Sequence, residues 1–159
     1  MILDVPGNME LLKTTSVEST ALKDCCVKHR VLVVDDDPAI LFAYCRLLER
    51  EEIGVDACDC FSDALKNIQS TPYLAVVSDL RLAGSGNTDG LDVMRALRVN
   101  CPDTAFILVT GHGSREIEQE VCSLGAAHYF EKPVHPSIIL EKLKSIALSF
   151  VGPVGIQPA

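Results

Sequence analysis

VLVVDDDP at residues 31–38 decides the fold. Four branched apolar residues run without a polar break, as in a strand of a parallel sheet covered on both faces, and three aspartates and a proline then stop the run. Asp37 before Pro38 reads as a helix N-cap with proline at the first helical position, so the strand turns directly into a helix. Three other stretches have the same form: VVSDLRL at 76–82, ILVTGHG at 107–113 and HYFEKPV at 128–134. Each delivers a polar side chain where its apolar run ends. Asp35, Asp36, Asp79, Thr110 and Lys132 therefore share the carboxyl edge of the sheet, which is where open α/β folds bind ligands.

Working outward, apolar positions Ile40, Ala43, Tyr44, Leu47 and Leu48 recur at helical spacing as far as Glu52, and Gly54 is expected to end that helix. Val55–Cys60 reads as a second strand. Ser62 is expected to cap a helix through Gln69, followed by a third strand at Tyr73–Ser78 and a Gly-rich loop at Leu80–Asp89. A helix at Gly90–Val99, a strand at Ala105–Val109, a helix from Ser114 to Leu124 closed by Gly125, and a strand at Ala127–Phe130 complete the pattern. Pro136 opens a last helix, in which Ile139, Leu143, Ile146 and Phe150 keep one face apolar. Five strands alternating with five helices imply a doubly wound α/β domain with right-handed crossovers. Its expected limits are 30–150, with a flexible leader at 1–29, holding one short helix around Met9–Lys13, and a tail at 151–159.

The 159 residues suit one core. Lys and Arg number 14 against 22 Asp and Glu, a net charge of −8, which opposes direct binding to nucleic acid or an anionic membrane. No basic n-region precedes an apolar core at the N-terminus, and no stretch reaches the ~20 apolar residues of a membrane span, so a soluble cytoplasmic protein is expected. Seven cysteines without a secretory signal do not make a disulfide framework. Cys58-Asp59-Cys60 lacks a second pair at ligand spacing, and it and Cys25-Cys26 read as ordinary thiols.

Carboxylates packed at one edge repel, and a divalent cation relieves that repulsion. With oxygen ligands only, Mg²⁺ fits better than zinc. A metal beside a carboxylate, a hydroxyl and an ammonium is equipped for phosphoryl transfer, with Asp79 as the nucleophile, Lys132 pairing with the phosphate and Thr110 bonding another of its oxygens.

At these residues the chain resembles the receiver domain of bacterial response regulators, CheY-like proteins, over about 30–150. The family's acidic pair falls on Asp35 and Asp36, its phosphoacceptor on Asp79 in SDLRLAG, its Thr/Ser on Thr110, and its Lys-Pro, joined by a cis peptide, on Lys132-Pro133. The switch aromatic, three residues before the lysine, falls on Tyr129. The resemblance implies a flavodoxin-like strand order 2-1-3-4-5. It also implies Mg²⁺ held by Asp36, Asp79 and the main-chain carbonyl of Arg81, with Asp35 acting through water. Arg81 and His112 occupy the family positions that modulate dephosphorylation. The chain departs from the family in two ways: Ala83 replaces the usual proline, and LAGSGNTDG is three residues longer than the common LPGMDG.

The implied function is a receiver, a switch more than an enzyme, expected to stand alone because about nine residues follow the last helix, with a receiver cut from a longer regulator as the other reading. It would take a phosphoryl group from a sensor histidine kinase or histidine phosphotransfer protein and signal to another protein, or to a second copy of itself. The signalling face would be formed by the fourth helix, fifth strand and fifth helix. Two rivals are weighed. A haloacid-dehalogenase-like phosphatase also begins with Asp-x-Asp, here Asp35-Asp36-Asp37, but needs an aspartate after the lysine, and none follows Lys132. A phosphate-independent binding module remains open because of the altered 83–90 loop. His112, His128 and His135 are expected at the surface, and the glycines of GSGNTDG form no phosphate-binding motif.

Overall fold

The computed structural model describes residues 30–83 and 88–150. The leader, its short helix, Cys25-Cys26, the tail and positions 84–87 of the lengthened loop lie outside these residues. Five parallel strands run in the order β2-β1-β3-β4-β5: β1 is Arg30–Val34, β2 Gly54–Cys58, β3 Ala75–Ser78, β4 Ala105–Thr110 and β5 His128–Glu131. Five helices follow them: α1 Pro38–Arg50, α2 Phe61–Ser70, α3 Asp89–Asn100, α4 Arg115–Ser123 and α5 Pro136–Phe150. The doubly wound order expected from the family resemblance is the observed one.

Because successive strand residues face opposite ways, each strand supplies two cores. Leu32, Val34, Val76, Phe106 and Leu108 pack with Ala64, Ile68, Met94, Leu97 and Val121 under α2, α3 and α4. Val31, Val33, Val77, Ile107 and Val109 pack with Tyr44, Leu48, Ile139 and Leu143 under α1 and α5. This is why the strands read as unbroken apolar runs rather than alternating ones.

Asp37 caps α1 as expected, its carboxylate accepting from Ala39 N–H at 2.9 Å. Gly125, in the left-handed region at φ 80°, closes α4. There Ala126 N–H donates to Val121 O and Gly125 N–H to Cys122 O, a Schellman arrangement. Several details differ from expectation, among them the second strand, which stops at Cys58 rather than Cys60. Gly54 does not end α1 but opens β2; the left-handed residue is Glu52, at φ 58°. Ser62 does not cap α2, which begins at Phe61 with Cys60 as its N-cap. Tyr73 and Leu74 precede β3 rather than forming part of it.

Candidate functional site

Main-chain bonds that run past the strand ends position the site. Asp35 N–H donates to Cys58 O at 3.1 Å, Asp79 N–H to Val34 O at 2.9 Å and Lys132 N–H to Thr110 O at 2.8 Å. Each side chain is thus fixed by the neighbouring strand. Lys132 Nζ lies between the two buried carboxylates, 3.0 Å from Asp35 Oδ2 and 2.8 Å from Asp79 Oδ2. The opposite oxygens are also engaged: Asp35 Oδ1 accepts from Asp37 N–H at 2.9 Å, and Asp79 Oδ1 accepts from Leu80 N–H at 2.6 Å and from Arg81 N–H at 3.4 Å. Asp36 is exposed at the rim.

Burial pushes the Asp35 carboxyl above its ordinary range, against the opposing pull of Asp37 N–H and Lys132. For Lys132 burial favours the neutral amine, but hydrogen bonds and charge from Asp79 and Asp35 outweigh it and hold the ammonium above its usual range. Asp35, Asp36 and Asp79 each bring a carboxylate oxygen within 4.8 Å of the others. An oxygen-only, doubly buried and singly exposed set of this kind fits a hard cation such as Mg²⁺ that keeps part of its water shell. A second group, Asp59, Cys60 and Asp63, meets the same spacing, but Lys66 Nζ already pairs with Asp63 at 2.9 Å.

Thr110 is fully buried at the end of β4, where its Oγ1 accepts from His112 N–H at 3.1 Å. Tyr129 is half-buried and its hydroxyl donates to Glu131 Oε1 at 3.1 Å. Burial first, and then that bond, raise the phenol to about 12. Arg81 and His112 are exposed, two residues beyond Asp79 and Thr110 respectively. Lys132-Pro133 is cis. His135 is exposed, whereas His128 is half-buried with its ring 5.9 Å from that of Phe130, a correction to its expected surface placement. Cys45, Cys58, Cys60, Cys101 and Cys122 are free thiols.

Sequence reasoning missed four contributors. Ser78 Oγ donates to the carbonyl of Asp79 at 2.8 Å. Gly90 packs on the Asp79–Leu80 peptide and Gly113 under the Tyr129 hydroxyl, so closely that a β-carbon at either would overlap. Glu131 holds the Tyr129 hydroxyl. The two glycines were signalled only by their place beside the motifs, and Ser78 and Glu131 by nothing in the local sequence.

Comparison with known proteins agrees with this geometry. Residues 31–144 match the response regulator receiver domain family. The acid tolerance regulatory protein ActR of Sinorhizobium medicae is 34% identical over 113 residues, 71% of this chain and 57% of ActR. The alginate biosynthesis transcriptional regulatory protein AlgB of Pseudomonas putida is 35% identical over 109 residues, 67% of this chain and 23% of AlgB. The chain thus spans about half of ActR and a quarter of AlgB. Among solved structures, a CheY-like receiver domain protein from Methanospirillum hungatei superposes with a TM-score of 0.69 at 30% identity, covering 76% of this chain and 94% of its own. The beryllofluoride-activated NtrC4 receiver domain superposes equally well, with a TM-score of 0.69 at 29% identity, covering 77% of this chain and 98% of its own. The chain belongs to the response regulator receiver domain family.

Proposed function

We propose that the chain is a phosphoacceptor switch in which Asp79 takes a phosphoryl group from a phosphohistidine on a sensor histidine kinase or histidine phosphotransfer protein. The observation that carries this reading is the Lys132 ammonium held between Asp35 and Asp79. In the transfer, Asp79 Oδ2 attacks phosphorus, the P–N bond breaks, and the departing imidazole nitrogen keeps the electron pair and takes up a proton. The other Asp79 oxygen stays on Leu80 N–H, which holds the carboxylate in line. Lys132 follows the charge onto the phosphoryl oxygens, and the Thr110 hydroxyl proton turns to one of them.

Mg²⁺, when bound, would neutralise charge on those oxygens. Asp35, Asp36, Asp79 and the Arg81 carbonyl would hold it. Arg81 and His112, at the family positions that modulate dephosphorylation, would obstruct an attacking water and set the lifetime of the phosphoryl group. The protein would act on itself rather than turn over a free substrate. Withdrawal of Thr110 toward the phosphoryl group would free space for Tyr129, altering the face of α4, β5 and α5 that another protein, or a second copy, reads.

No helix among the described residues is long and apolar enough to cross a membrane, and the acidic charge disfavours nucleic acid, in keeping with a cytoplasmic switch. Asp37 weighs against the phosphatase reading: its carboxylate is spent capping α1, where a second catalytic aspartate would have to face the substrate. The test is incubation with acetyl phosphate and Mg²⁺, followed by intact mass. One added phosphate, absent from Asp79→Asn, is expected. An unmodified wild-type protein overturns the reading, and partner binding that is identical for wild type and Asp79→Asn under phosphorylating conditions identifies a phosphate-independent module instead.

A further inference from the structure

Below the acidic edge, on the side of the sheet covered by α1 and α5, lies a cavity of about 410 Å³. Its floor is Val33, Val77 and Val109, and its α1 wall includes Ala39 and Ala43. These two alanines stand one helical turn apart, so the wall lacks the long side chains that would close the space. The volume falls within the range of small-molecule sites, and the lining has the usual character of one, apolar with a few convergent polar groups. Those groups are Asp35, Asp79, Lys132 and Tyr44.

Tyr44 is 5% exposed, and among the described residues its hydroxyl has no hydrogen-bond partner. It is nevertheless within electrostatic reach of Lys132 and Asp35, so the hydroxyl end of the ring faces the polar end of the cavity. Burial raises this phenol to about 12, so it stays protonated as a donor. Because no fully buried side-chain oxygen or nitrogen among the described residues lacks a partner, this hydroxyl opens onto the cavity, where water is its only company and a ligand could take its place. Lys132 is already held by both carboxylates, which leaves Tyr44 as the donor without a protein partner.

We propose that this cavity binds a small uncharged molecule with an apolar body and one hydroxyl or carbonyl that accepts a hydrogen bond from Tyr44. An anionic head is disfavoured because Asp35 and Asp79, with one ammonium between them, leave the polar end of the cavity negative. Although Asp79 and Lys132 border the cavity, the test is independent of the phosphoacceptor reading, since occupancy is measured without phosphorylation.

The test is a titration of the folded protein, followed by amide NMR shifts, with three probes of one shape: p-cresol, toluene and 4-methylbenzoate. Expected is saturable binding of p-cresol with a Kd of about 1 mM or tighter. Toluene is expected to bind about fivefold more weakly and 4-methylbenzoate not at all. Tyr44→Phe brings p-cresol down to the affinity of toluene and leaves toluene unchanged. Ala43→Leu, checked by its melting curve, fills the chamber and abolishes binding, with Ala39→Leu as the second filling variant should the first not fold. Val99→Ser, on the exposed face of α3 and outside the cavity, leaves binding intact. The proposal is overturned if p-cresol does not saturate, if toluene matches it in the wild type, if Tyr44→Phe has no effect, or if a folded filling variant still binds.

Discussion

Gly90 rests directly on the peptide that carries the acceptor: a β-carbon at this position would stand 2.2 Å from the carbonyl oxygen of Asp79 and 2.8 Å from Leu80 Cα. Both contacts are main chain, and the Gly90 N–H donates to Leu80 O at 2.9 Å, so neither side can yield cheaply. The first turn of α3 thereby clamps the loop that aims Asp79. Gly90→Ala is expected to cost about 2 kcal/mol or more of stability, as overpacking does in a closed site. It is also expected to slow labelling by acetyl phosphate at least tenfold, because the Asp79 carboxylate would move with its peptide. A melting curve and a labelling rate both equal to wild type would show that the contact is slack.

Such contacts mark the limit of what the sequence made legible. Asp35, Asp79, Thr110 and Lys132 were readable because a buried parallel strand leaves an unmistakable apolar run, and the residue that ends the run must stand at the sheet edge. That Lys132 pairs with Asp35, 97 positions away, is a matter of packing that no local pattern encodes. Two helix ends differ from expectation for a related reason, although Asp37 and Gly125 serve as their sequence suggests. Gly54 looked like the stop signal of α1, yet the left-handed turn falls on Glu52 while Gly54 takes its place opposite Arg30 in the β1–β2 register. Ser62 looks like a cap, but α2 starts two residues too early for it to serve.

Tyr129 is held by an acceptor two residues along its own strand and by the absence of a side chain at Gly113, where a β-carbon would stand 2.0 Å from the phenol oxygen. Glu131→Ala is expected to lower the Tyr129 phenol from about 12 only part of the way to its ordinary value, since burial, the larger cause, remains. Spectrophotometric titration of the tyrosines in wild type and variant measures it, and an unchanged titration would mean that the Glu131 bond contributes nothing in solution.

Gly113→Ala, by contrast, should expel the ring from its present seat, because the added methyl would also meet Glu131 Oε1 at 2.7 Å. The expected outcome is a changed near-ultraviolet dichroism with the far-ultraviolet spectrum preserved. An unaltered near-ultraviolet spectrum would show that the loop after β4 can retreat from the ring.

Glu52 offers a stabilising change. A left-handed residue with a side chain costs roughly 1–2 kcal/mol, whereas glycine adopts the conformation freely at a smaller loss through the unfolded chain. Glu52→Gly is therefore expected to stabilise the fold by about 0.5–1 kcal/mol, a rise of a few degrees in melting temperature. A lower melting temperature would mean that the exposed Glu52 side chain contributes a contact outweighing the strain.

At the far edge of the sheet Arg30 grips Asp56 through two bonds, Nε to Oδ2 at 2.6 Å and Nη2 to Oδ1 at 2.5 Å, and the Tyr73 hydroxyl adds a third at 2.8 Å. The Arg30 bonds lead in holding the Asp56 carboxyl below its ordinary range; burial opposes them and Tyr73 assists. A carboxyl that ionises more readily in the folded state than in the unfolded one stabilises the fold above its unfolded value, here 3.8, and that contribution is lost as pH falls through the depressed folded value. Asp56→Asn should thus lower the melting temperature by a few degrees at pH 7, where the bidentate pair is intact, and the difference from wild type should shrink as the solution is taken from about pH 5 toward pH 3. Melting curves of the two proteins across that range measure the linkage. A difference that stays constant with pH would mean that Asp56→Asn removes hydrogen-bond shape rather than charge, and that Arg30 and Asp56 do not act as an ion pair in solution.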